Sequence, residues 1–187
     1  LTYFRILKVQ DDADEQNDNK VVDSKLLPCA LRGLAKFSHL IHLDAVVDLL
    51  EVLKQLLENG DQLSTDSCVH CILCALKTLR GPGKDTIPVD MKQFLIPLYG
   101  LLPRIGIPTN ETILSSTNAK DVHSNDEGNI IEEIILCLDH AFLQRRELSS
   151  ARLAGFLKRL SCSSLHCVPT SSVPLLACTR QIASRYS

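Results

Sequence analysis

The sequence predicts an all-α protein, an irregular HEAT-like solenoid of helical hairpins, and three observations carry that prediction. Leucine recurs throughout, while aromatic residues make up only 4% and tryptophan is absent; sheets draw on aromatic and β-branched side chains, so this bias favours helix. Apolar residues repeat at spacings of three and four in segment after segment, the period of a helix with one buried face. No segment alternates apolar and polar residues over a useful length. Short turns between helices, with no strict repeat period, point to irregular packed pairs rather than a consensus array.

In chain order, residues 1–9 read as the end of a preceding helix, and the chain, opening on Leu1, as a fragment or an incomplete gene model. Residues 10–24 read as an acidic disordered insertion: QDDADEQNDNK has almost nothing to bury and cannot offset the entropy of ordering. A helical repeat region follows over residues 25–107. Ser24 is the expected cap of its first helix, with Pro28 in the first turn. Leu27, Leu31, Leu34, Ala35, Leu40 and Ile41 form the buried face. Asp44 is expected to cap the next helix, with Val46, Val47, Leu49, Leu50, Leu53, Leu56 and Leu57 inward and Gly60 at its end. A third helix runs from about Ser64 to Arg80 and stops at GPG, residues 81–83. Asp90 caps a fourth, which Pro97 should kink or split.

Residues 108–129 read as a polar spacer, and residues 130–187 as a second helical segment of the same solenoid. Its first helix, 130–144, carries Ile131, Ile134, Ile135, Leu138 and Phe142 as a stripe. Glu132 and Glu133 fall in its first turn, where carboxylates suit the helix dipole. Ser149 or Ser150 caps a helix burying Leu153, Phe156, Leu157 and Leu160. Ser171 or Ser172 caps the last, with Pro174 in its first turn.

A formal charge of −2 argues against a large basic footprint for nucleic acid, so such contact would be local. No apolar run reaches the roughly 18 residues that span a bilayer. Residues 1–9 lack a charged stretch followed by an apolar one, so the eight cysteines are expected to be reduced thiols in an intracellular compartment.

The stretch CVHCILC, Cys68 to Cys74, is the sharpest candidate for metal chemistry. On a helix, however, each step of three residues falls about 60° short of a full turn, so the sulfurs spread along the axis instead of converging. No glycine or proline knuckle interrupts it, and the expected role is a core helix face. Cys162, His166 and Cys167 lie at a helix end before Pro169, with three ligands at most; capping and packing is again the expected role. No nucleophile elbow, P-loop, dinucleotide fingerprint or HExxH occurs. His39 and His42 are read as a helix edge. Neither catalytic residue, cofactor nor metal is expected, and the chain is read as not an enzyme. Arg145 and Arg146, with Arg152, Lys158 and Arg159 beyond them, form the one local contact a phosphate could use, against the alternative of a solvated helix face.

Residues 26–57, LLPCALRGLAKFSHLIHLDAVVDLLEVLKQLL, together with TYFRILK at 2–8, resemble the nucleolar complex-associated protein 3 family. Residues 151–186 are similar to a later segment of that family, with FLKRL and SLHC as the most distinctive parts. The resemblance implies a CCAAT-binding-factor-like helical scaffold of the nucleus and nucleolus, without catalytic activity. It also implies pairing with a second nucleolar complex protein on precursors of the large ribosomal subunit, and their maturation and export. Contact with pre-rRNA is a further implication; the alternative is a chromatin-associated factor supporting initiation of DNA replication. Neither a membrane nor a small-molecule substrate is implied. The family's long basic N-terminal region and its C-terminal tail have no counterpart in these residues, and the acidic insertion widens a junction that is tighter in the family.

Overall fold

The structure, a computed structural model, describes residues 20–37, 41–58, 63–80, 90–105, 124–144 and 149–186, without the side chains of 20–26, 43–44 and 124–129. The helix end at 1–8, most of both spacers, His39, Leu40, Gly60 and the GPG stop lie outside the described residues. Every regular element among the described residues is helical, so the all-α class holds. Two compact units divide the chain, Leu1–Pro97 and Leu98–Ser187.

The first unit holds α1 (Lys20–Phe37), α2 (Leu43–Glu58), α3 (Thr65–Thr78) and the start of α4 (Lys92–Leu101). Leu27, Leu31, Leu34 and Ala35 of α1 are buried at the spacing of one helical face. So are Val46, Leu49, Leu50, Leu53 and Leu56 of α2. Both helices pack on α3, and that explains why α3 has no polar side: Ser67 to Leu76 are all buried. A helix covered from two directions is apolar nearly all round. Small cysteines at 68, 71 and 74 let the neighbours approach closely.

Several expected boundaries shift. Helix α1 begins at Lys20, so Ser24 lies inside it and Pro28 is well past the first turn. Helix α2 begins one residue before Asp44; the His42 carbonyl accepts from the Ala45 and Val46 amides, so His42 stands where Asp44 was expected. Val47 is 45% exposed and Leu57 only half-buried, while Val52 is buried. The α2 stripe is therefore narrower than the leucine count suggested. Asp90 caps as expected, its Oδ1 accepting the Lys92 amide at 2.9 Å, and Ser64 proves to be the cap of α3, its Oγ accepting the Ser67 amide at 3.2 Å.

The second unit begins with the last turn of α4, followed by a 3-10 turn at Leu102–Arg104. Then come α5 (Ser124–Leu138), a π-helical turn at Asp139–Leu143, α6 (Ser150–His166) and α7 (Pro169–Tyr186). Helix α7 packs against both α5 and α6, and α6 also meets the 3-10 turn. Phe156 sits at the centre, edge-on to Tyr99 at 5.0 Å and to Phe142 at 4.8 Å between ring centroids. Tyr186 Oη donates to the Phe142 carbonyl at 3.2 Å, tying the end of α7 to the π turn.

Helix α5 starts at Ser124, so Glu132 and Glu133 are mid-helical and the dipole explanation for them fails. Of its expected stripe, Ile131, Ile134, Leu138 and Phe142 are buried and Ile135 half-buried. Cys137 and Ala141 are buried as well, the latter inside the π turn. Helix α7 begins with Pro169, which suits the first helical position because no intrahelical partner awaits its missing N–H. Ser171 and Ser172 therefore lie inside the helix. Helix α4 runs unbroken through Pro97, as α7 does through Pro174. The carbonyls that lose their donors belong to Gln93 and Thr170, both exposed residues where water can substitute.

Gly155, within α6, is an interior helical glycine whose added Cβ would meet only Tyr99 Oη, at 3.9 Å. That is ordinary contact. Gly155→Ala is expected to raise the unfolding free energy by about 0.5–1 kcal/mol, read as a higher urea midpoint at unchanged slope. Among the described residues no helix is long and apolar enough to cross a membrane.

Candidate functional site

The cysteines of α3 are packing atoms in the arrangement seen. Cys71 and Cys74 are fully buried and Cys68 nearly so. Cys71 Sγ donates to the Leu53 carbonyl of α2 at 3.4 Å, using its proton as a weak donor. Burial pushes the Cys71 thiol well above its usual range, with Cys74 and Cys68 adding to the effect. Burial likewise pushes Cys74 up to about 12, against the opposing influence of the nearby Thr78 hydroxyl and the charge of Lys77. Such thiols stay protonated at neutral pH and are poor nucleophiles.

The histidine within CVHCILC has a partner that the sequence did not reveal. His70, fully buried, places Nε2 3.1 Å from Arg32 Nη2 of α1 and 3.4 Å from Asp66 Oδ1 one turn earlier. A guanidinium only donates and a carboxylate only accepts, so Nε2 serves one of the two at a time, according to where the ring carries its proton. The result is a short polar chain, Asp66–His70–Arg32, joining α3 to α1. Its signal in the sequence was half present: Asp66 and His70 are four apart, but only the packing brings Arg32 to them. His70 first, then the Arg32 charge, hold the Asp66 carboxyl below the usual carboxylate range despite partial burial.

The sign of the pH effect follows. A carboxylate with a depressed folded value contributes stability that is fully present above its unfolded value, near pH 4. It is lost as pH falls through the folded value. The urea midpoint is expected to hold between neutral pH and about pH 5 and to drop below about pH 4. Asp66→Asn should flatten the low-pH part of that curve.

Of the expected basic residues, Arg145 and Arg146 lie outside the described residues. The other three stand on α6, but they do different things. Arg159 is engaged in structure: its guanidinium lies 3.7 Å above the Tyr99 ring centre and Nη1 donates to the Tyr99 carbonyl at 2.7 Å. Arg152 is half-buried two turns earlier, and Lys158 is exposed.

One face of α6 lines a cleft of about 500 Å³, closed on the other side by Tyr99 and Pro103. Lys158, Arg159, Cys162 and His166 recur along it at helical spacings of one, three and four. The structure therefore brings two of the expected basic residues into one cleft with Cys162 and His166, which the sequence places in capping and packing at the helix end. Cys162 and His166 are exposed in the cleft, while Cys167 leaves the helix as its C-terminal cap. Around the turn between α6 and α7 lie four exposed apolar side chains, Leu165 at 81%, Val168 at 54%, Val173 at 66% and Leu176 at 46%.

No protein-family model matches the chain. Among curated proteins, the chain is 36% identical over 181 residues to the human nucleolar complex protein 3 homolog, covering 96% of this chain and 19% of that protein. The Xenopus laevis nucleolar complex protein 3 homolog is 35% identical over 187 residues, 100% of this chain and 20% of its own length. The nucleolar complex-associated protein 3 of Saccharomyces cerevisiae is 28% identical over 174 residues, 86% of this chain and 26% of its own. The chain thus spans about a fifth to a quarter of the length of these relatives.

Proposed function

Because the chain belongs, as a partial segment, to the nucleolar complex protein 3 family, we propose that it is a non-enzymatic docking segment in the assembly of large ribosomal subunit precursors. The nucleus and nucleolus are its compartment. Its direct partner, in this reading, is a second nucleolar complex protein.

The observation that carries the docking role is the exposed apolar edge of the α6–α7 hairpin. Val173 and Leu176 are three residues apart and share one face of α7, and Leu165 and Val168 flank them across the turn. Scattered apolar residues are ordinary on a surface, but four within twelve positions form the kind of patch that partners cover. The buried thiols and the arginine engaged with Tyr99 support a structural rather than catalytic role for the rest. The same reading extends the packed helices into an irregular HEAT-like solenoid in the longer relatives, with α6 and α7 as one of its hairpins.

The test is capture from nucleolar extract by the whole chain, with Leu165→Asp combined with Val173→Asp as the comparison. Recovery of a nucleolar complex protein that the double variant loses supports the proposal. Equal recovery by both chains, or recovery of no assembly factor, overturns it. A chromatin-associated role in replication initiation ranks second, since a net charge of −2 gives duplex DNA no broad basic face to hold.

A further inference from the structure

We infer that the cleft along α6 is a binding site for the phosphodiester backbone of a single-stranded polynucleotide, with Lys158 and His166 as its contact residues and Arg159 as the residue that positions its wall. The inference does not depend on the docking role, which uses a different edge of the hairpin.

Charge distribution is the first observation. From Leu148 to the end there are five lysines and arginines and no aspartate or glutamate, so all 22 acids and the other fifteen cations fall in residues 1–147. The near-neutral total hides a hairpin, α6 and α7, that is purely cationic. An asymmetry of this kind concentrates anions at one region of a molecule and steers them to it.

Within that hairpin, the cleft is where the charges meet a concavity. Lys158 and His166 are exposed two turns apart on the lining face of α6, with Arg159 between them. Among the described residues no carboxylate lines the cleft. On the α6 side the cations are flanked by small residues, Gly155, Cys162 and Ser163, which leave room for a tetrahedral group to approach the helix. Arg159 is fixed by the Tyr99 ring beneath it and the Tyr99 carbonyl beside it, so its charge faces the cleft without loss of side-chain freedom on binding. Donors strung along a helix face, each reaching one phosphate, suit a strand that runs along the groove. An acidic peptide offers the same sign of charge but not the regular spacing of tetrahedral anions.

The experiment measures fluorescence anisotropy of labelled oligouridine and oligothymidine with the whole chain, across a salt series. Lys158→Glu and His166→Ala are compared with Arg180→Glu, an exposed α7 residue outside the cleft. All three side chains are exposed, and circular dichroism checks that each variant keeps its helices. Lys158→Glu is expected to weaken oligouridine binding roughly tenfold and to lower the salt slope by about one. His166→Ala should weaken it less, and Arg180→Glu by under twofold. The two probes separate the sources of backbone phosphate: preference for oligouridine assigns RNA, and equal binding assigns the backbone itself. The inference is overturned if Arg180→Glu costs as much as Lys158→Glu, if neither oligonucleotide binds at low salt, or if oligoglutamate of matched charge displaces the oligonucleotide as well as unlabelled oligouridine does.

Discussion

Phe156→Ala is expected to lower the unfolding free energy by about 3–5 kcal/mol, the range for deleting a buried aromatic ring. The ring is 3% exposed and meets two others edge-on, Tyr99 and Phe142. Each such pair adds about 0.5–1.5 kcal/mol beyond the area buried. Loss of the ring also removes the support behind Tyr99, so the stack of Arg159 on that residue should loosen. Urea unfolding reads the energy. Phe156→Leu separates the two contributions: it keeps most of the volume and loses the edge contacts, and it should cost markedly less than alanine. If leucine costs as much as alanine, the aromatic geometry rather than the volume is what matters.

Leu53→Ala should cost about 2–5 kcal/mol. Leu53 is fully buried in the core of the first unit, and its carbonyl accepts the Cys71 thiol from α3. The spread in that range reflects how far α1 and α3 can close over the void. A helix enclosed on two sides has little freedom to do so, which places the expectation in the upper half. Val47→Ala, at an exposed position of the same helix, should change stability by under about 0.5 kcal/mol. A similar cost for the two would mean that α2 faces the other way.

The class of fold was readable because the local signals agreed. The leucine stripes of α1 and α2 have helical period, and Asp90 is a cap in the structure as in the sequence. Boundaries were less readable where propensity and pattern diverged. Helix α1 extends to Lys20, into a stretch whose acidic composition has no apolar stripe to announce a helix. The helix read over residues 130–144 hides a π turn at Asp139–Leu143, since an extra residue in the helix leaves an apolar pattern that still looks regular. Pro174 drew attention as a start signal, although Pro169 is the residue at the first helical position.

The candidate site was readable only in pieces. Lys158 and Arg159 are visible in the sequence as basic residues, and Cys162 and His166 as capping and packing residues at a helix end, with nothing local to join them. What joins them is that α6 continues unbroken to His166 and turns one face toward Tyr99 and Pro103. Tyr99 lies some sixty residues away in sequence, and nothing local marks it as the partner of Arg159. The Asp66–His70–Arg32 chain is the same lesson: spacing gave the pair on α3, and packing supplied the guanidinium.

Native thiol reactivity is the most direct test of the claim that α3 is an enclosed core helix whose sulfurs only fill space. With an aromatic disulfide reagent, the exposed Cys29 and Cys162 should react within the first phase. Cys68, Cys71 and Cys74 should stay silent until denaturant is added. Rapid labelling of Cys71 or Cys74 in the folded chain would contradict the account, as would stoichiometric zinc released when they are modified.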